Sequence, residues 1–98
     1  MKGRFEVIDS FAIRRRNEFY LIGNLVEGTV KEYWFINVPL SGSFSITVRI
    51  KAIEDIELSG ESKIYKLLIT EGDNETTDMM LALKIGSEYL DITTDGED

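Results

Sequence analysis

The chain of 98 residues has no cysteine, no histidine and a single proline. Without cysteine there is neither a disulfide nor a thiolate metal site. With histidine missing as well, the commonest general base and the strongest nucleophile are both gone. No serine, lysine or aspartate stands in a recognisable catalytic motif, so no enzyme is expected. No Gly-x-x-x-x-Gly-Lys-Ser/Thr run is present to cradle a phosphate, which argues against a nucleotide cofactor. The longest apolar runs are a few residues, far short of the roughly 20 that cross a bilayer. A basic segment followed by an apolar one is also lacking, so no signal peptide is expected. The expectation is a cytoplasmic protein without cofactor, metal or membrane contact.

What is present is ordinary globular material, with 43% hydrophobic and 30% charged residues. The length suits one domain, placed at residues 1–93, with a polar tail at 94–98 expected to fray. Net charge is −7, unevenly spread. Residues 1–51 hold 8 Lys/Arg against 5 Asp/Glu, and residues 52–98 hold 3 against 13. A basic half leaves room for a local phosphate contact that a uniformly acidic surface would repel.

The dominant period is two, the signature of half-buried strands. Phe5–Ile13 and Phe19–Val26 read as the first two strands, joined by the polar hinge Arg15–Glu18. Val30, Trp34, Ile36 and Val38 share a face, interrupted by Glu32. Phe44, Ile46, Val48 and Ile50 alternate with polar residues, and Met79, Leu81, Leu83 and Ile85 alternate with Asp78, Met80, Ala82 and Lys84. Tyr65, Leu67 and Ile69 share another face, and Leu90 with Ile92 a short one. Pro39–Ser43, Ser59–Ser62, Glu71–Glu75 and Gly86-Ser87 read as turns. Past Ala52 the alternation slips, predicting a β-bulge or bend near Ile53. No stretch carries a helical period. Seven short strands predict an all-β fold, a closed or nearly closed six- or seven-stranded antiparallel barrel. Phe5, Phe11, Trp34 and Phe44 are expected inside it, leaving little room for a buried ligand. Function is then expected on the outer surface.

Several segments resemble the β-barrel domain 2 of translational GTPases, the elongation factor Tu family. Phe5, Val7, Asp9, Phe11 and Ile13 stand in the order of that family's first strand. Gly23, Leu25, Gly28 and Val30 stand in the places of its second, with Glu27 before the glycine. Val48-Arg49-Ile50-Lys51-Ala52-Ile53-Glu54 looks like a later strand, and Met79–Ile85 with Gly86 like its last hydrophobic strand. The family's Arg-Gly-Thr turn is replaced here by Arg16-Asn17-Glu18, and the GTPase is absent. The resemblance implies the barrel fold and contact with RNA, the ribosome or another translation component.

The candidate contact residues are Arg14, Arg15, Arg16, Tyr33, Phe35, Arg49 and Lys51. The three consecutive arginines at the first hairpin tip can grip phosphates or an acidic partner. Arg49 and Lys51 share the outward face of one strand and extend that patch. On a strand, Tyr33 and Phe35 point away from Trp34, exposing an aromatic pair beside Tyr20 or Tyr65 that suits stacked bases or a protein. Glu71, Asp73, Asn74, Glu75 and Asp78 crowd one loop but do not follow the calcium-loop spacing. Three readings follow: a non-enzymatic surface-binding module contacting RNA or a translation component, an acidic inhibitor or immunity-type protein covering a basic partner, or a detached domain of a larger assembly with no activity of its own.

Overall fold

The computed structural model describes residues 2–41, 44–60, 62–83 and 88–94. Its strands are β1 (Gly3–Ile13), β2 (Glu18–Gly28), β3 (Phe35–Ser41), β4 (Phe44–Glu57), β5 (Ile64–Glu71) and β6 (Glu88–Thr93). A single 3-10 turn, Arg14–Arg16, joins β1 to β2, and helix α1 (Asn74–Leu83) lies between β5 and β6. The strands close in the order β1-β2-β5-β4-β3-β6, and every pairing is antiparallel. Closure gives every strand two neighbours, although β1 beyond Val7 and β3 beyond Asn37 pair on one side only. The expected all-β barrel of six or seven strands is therefore present, closed by six. Helix α1 has ten residues, and no helix among the described residues is long and apolar enough to cross a membrane.

The core is the inward face of the ring. Phe5, Val7, Phe19, Leu21, Ile36, Val38, Val48, Ile50, Leu68, Leu90 and Ile92 are buried there. Each such side chain contributes about 1.5–3 kcal/mol through removal from water. Ala12, Leu25, Val30, Trp34, Ile46 and Ile53 pack against this cluster from its margins. Phe5 and Trp34 are thus where the alternation put them.

Phe11 and Phe44 are not inside; they are 43% and 73% exposed. The reason lies in the ladders. Val7 pairs with Gly23, but Asp9 pairs with Ile22, so β1 carries one extra residue at Ile8. This bulge inverts the phase of the rest of β1. Ala12 then turns inward opposite Phe19, and Phe11 turns outward, where it stacks on Tyr20 at 4.7 Å between centroids. Phe44 sits at the far end of the β3–β4 hairpin, beyond a register shift between Pro39 and Ser41. The segment read as a loop from Pro39 continues β3 through Ser41.

Phase also corrects β5. Thr70 pairs with Phe19 and Leu68 with Leu21, so Leu68 and Thr70 face inward. Leu67 and Ile69 lie on the outer face opposite Ile22 and Tyr20, and Tyr65 is outside the core cluster. The slip expected near Ile53 is a register shift between Ile50 and Ala52, which makes Lys51 the extra residue of β4.

The segment read as a seventh strand is helix α1 through Leu83; Ile85 and Gly86 lie outside the described residues. Met79-Met80-Leu81-Ala82-Leu83 is apolar throughout, so a period of two can be drawn through it without meaning. Methionine, leucine and alanine are good helix formers. Asp73 caps the start by accepting from the backbone N–H of Thr76 at 2.8 Å. Thr77 and Met80, three residues apart, are both buried, and Met80 joins the barrel core.

Gly23 fixes the closest approach in the barrel. A Cβ there would lie 1.8 Å from the Glu6 carbonyl oxygen. Gly23→Ala forces β1 and β2 apart where they must stay paired, and the expected loss is roughly 3 kcal/mol in urea unfolding. An unchanged midpoint would show that the ladder tolerates the displacement.

Candidate functional site

The β-ladders set Phe35, Arg49, Glu71 and Glu18 in one row. Phe35 pairs with Arg49, Arg49 with Glu71, and Glu71 with Glu18 across four adjacent strands. Directly paired residues share a face. Their neighbours Ile36, Ile50, Thr70 and Phe19 are buried, so the row faces outward.

One end of the row is electrostatic. Glu18 is only 2% exposed, and its carboxylate accepts from Lys51 Nζ at 2.5 Å, from Arg16 Nε at 3.1 Å and from the Tyr20 hydroxyl. The Lys51 bulge and the turn at Arg16 bring two cations from opposite sides onto one buried anion. Lys51 first, then Tyr20, holds the Glu18 carboxyl below its ordinary range despite the opposing effect of burial. The same hydrogen bond, with burial, pushes the Tyr20 hydroxyl upward.

The other end is aromatic. Lys31 to Trp34 form a turn closed by Trp34 N–H donating to the Lys31 carbonyl at 3.2 Å. Tyr33 holds its third position with φ +71°. A type II turn needs that sign there and usually places glycine. Tyr33 N–H donates to the Ile50 carbonyl at 2.7 Å, and Ile50 N–H donates to the Trp34 carbonyl at 2.7 Å. These two bonds fasten the turn to β4. The expected continuous strand from Val30 is therefore broken, although Trp34 still packs inward and Tyr33 stays 60% exposed. The Arg49 guanidinium lies over both rings, 5.5 Å from Tyr33 and 5.6 Å from Phe35. Such contacts contribute about 0.5–1 kcal/mol each at an exposed site.

Most of the seven candidate residues thus converge. Tyr33, Phe35 and Arg49 form one unit, and Arg16 and Lys51 meet at Glu18 in the same row. Arg14 is drawn away to Asp78 on α1. Arg15 is exposed and makes no ion pair among the described residues. Tyr20 stacks on Phe11 rather than beside the Tyr33 pair, and Tyr65 lies under Lys63, 5.1 Å from its ring. The sequence places Glu18 in the polar hinge, where its burial is not expected. The only hint was its place beside Phe19 and opposite the later bulge.

The acidic loop is largely occupied by the fold. Asp73 caps α1, and that backbone bond keeps its carboxyl below the usual range. Among the described residues no cluster of carboxylates is arranged to hold a metal ion. At the other end of the barrel, an open cleft of about 370 Å³ is lined by Gly23, Asn24, Leu25, Asp55, Ile64 and Lys66. Lys66 and Asp55 neutralise each other across it at 3.0 Å.

The fold and site define a closed six-stranded antiparallel barrel with an Arg–aromatic unit and a buried ion cluster on its outer face. No protein-family model, curated protein or solved structure matches the chain.

Glu18 gives a pH prediction. Its folded pKa is depressed, so its stabilisation is complete above the unfolded value of about 4.3 and is lost as pH falls through the folded one. Glu18→Gln should cost about 2 kcal/mol at neutral pH, as for a hydrogen-bonded charge. The gap from the unsubstituted protein should close as urea titrations move below about pH 4.3. A pH-independent gap would mean that the charge of Glu18 contributes nothing.

Proposed function

We propose that this chain is a non-enzymatic binding module that contacts RNA through the outer row of the barrel. The observation that carries the reading is Arg49 lying over both Tyr33 and Phe35, in the same row as the Glu18 that Arg16 and Lys51 share. Guanidinium and ammonium groups beside an exposed ring provide both components that single-stranded nucleic acid uses, phosphate attraction and base stacking. Arg16, Arg49 and Lys51 are set among Glu18 and Glu71 of the row, Glu32 of the Tyr33 turn and Glu54, whose charge reaches Tyr20, so the cations are points of phosphate attraction on a mixed surface. The resemblance of the Phe5–Glu57 segments to translation-factor domain 2 points the same way, towards RNA or a translation component.

The alternative, an acidic cover for a basic protein, has less support. Asp55, Asp78 and Asp91 are already paired with Lys66, Arg14 and Arg4, and Asp73 caps α1.

Binding of a labelled oligo-uridine strand, followed by fluorescence anisotropy from about 20 to about 200 mM salt, should weaken with a log–log slope of about −2. That slope corresponds to roughly three phosphates at about 0.7 each. Arg15→Ala and Arg49→Ala should each weaken binding and flatten the slope. Absence of binding at the lowest salt would refute the reading.

A further inference from the structure

We infer that Tyr33 is a stacking platform for an unpaired nucleobase, which makes the ligand of this face single-stranded RNA rather than duplex; the inference rests on the RNA-binding reading above. Three independent observations meet at this residue. The first is conformational. Tyr33 holds φ +71° at the turn position where glycine is usual, and bulky residues are rare there. A non-glycine residue in this region carries strain that points to function when the surroundings hold it in place. Here the bonds from Tyr33 N–H to Ile50 and from Ile50 N–H to Trp34, both 2.7 Å, hold it.

The second is exposure. Glycine would relieve the strain, and an inward ring would gain burial; the chain does neither, leaving Tyr33 60% exposed. The third is what lies behind the ring. Arg49 covers one face at 5.5 Å and is itself backed by Phe35 at 5.6 Å. The Tyr33 ring is thus held by the guanidinium of a β4 residue while most of its surface stays accessible. Arg49 makes no ion pair among the described residues, so the edge of its guanidinium is available to a phosphate next to the stacked base.

A flat ring on a guanidinium matches the π-face of a base, and every base has one, so the contact tolerates sequence. In a duplex those faces are stacked on one another and hidden, which makes strandedness the discriminating property.

The test compares a labelled single-stranded RNA with the same strand annealed to its complement, using the full chain and its variants. The single strand should bind at least several-fold more tightly than the duplex. Tyr33→Phe should keep that affinity, and Tyr33→Gly should lose roughly 5- to 100-fold. Thermal melting separates binding from folding, because Tyr33→Gly relieves the positive φ and should not lower the midpoint. Equal binding of duplex and single strand, or full affinity in Tyr33→Gly, would overturn the platform while leaving RNA binding intact. No RNA binding by the unsubstituted chain would overturn both readings.

Discussion

Six strands of unequal length close into a ring only when each bends to meet two neighbours, and this chain does so with extra residues at Ile8, Val26 and Lys51. Each bulge shifts the phase of the strand beyond it and increases local twist. Past Ile8, Ala12 goes into the core and Phe11 goes out to cover Tyr20. Past Lys51, Ile53 keeps its place against the core although Ile50 is three residues back. The extra residue at Lys51 also lies at the row where its ammonium reaches Glu18. Closure and surface chemistry therefore share a cause: the residue that lets β4 bend is one of the candidate contact residues.

Burying a carboxylate costs several kcal/mol unless its charge is answered by partners of good geometry. Glu18 has three, and they come from β2, from the turn before it and from β4. The cluster ties the β1–β2 connection to the strand carrying Arg49. It also consumes part of the positive charge that the arginine run advertises. Arg14 is consumed likewise by Asp78, a contact between the basic and acidic halves of the chain. What remains outward is narrower than a basic patch: Arg15, Arg49 and two rings, with Arg16 and Lys51 held in fixed positions by a shared anion.

Architecture was legible because alternation survives wherever a strand has one buried face. Val48 and Ile50, Ile36 and Val38, and Phe5 with Val7 all fell on the expected side. Phase was lost where a bulge intervenes, since Ile8 carries no glycine to mark it. Type was lost at α1, where a wholly apolar run fits any period and the deciding signal was Asp73 capping Thr76, not the pattern after it. In the candidate site, Tyr33, Phe35 and Arg49 were chosen from residue type and alternation, and the ladders bring them together. Their relation to Glu18 was not readable, because it depends on β2, β5 and β4 being neighbours in that order. The turn at Lys31–Trp34 was also invisible, since its third position holds tyrosine where a type II turn normally announces itself with glycine.

A net charge of −7 repels a polyanion at a distance, but net charge governs only the far field. At physiological salt the screening length is about 8 Å, so contact is decided by groups within the immediate face. In the outer row Arg49 stands beside Glu71, and Arg16 and Lys51 share the buried Glu18. For the proposed RNA contact, the acidic remainder would slow encounters and disfavour orientations that do not present the row. Repulsion elsewhere on a surface is a recognised source of specificity. On that proposal the charge distribution and the strained tyrosine argue for the same property, a small contact with one productive orientation, in which stacking would supply what a short run of phosphate contacts cannot.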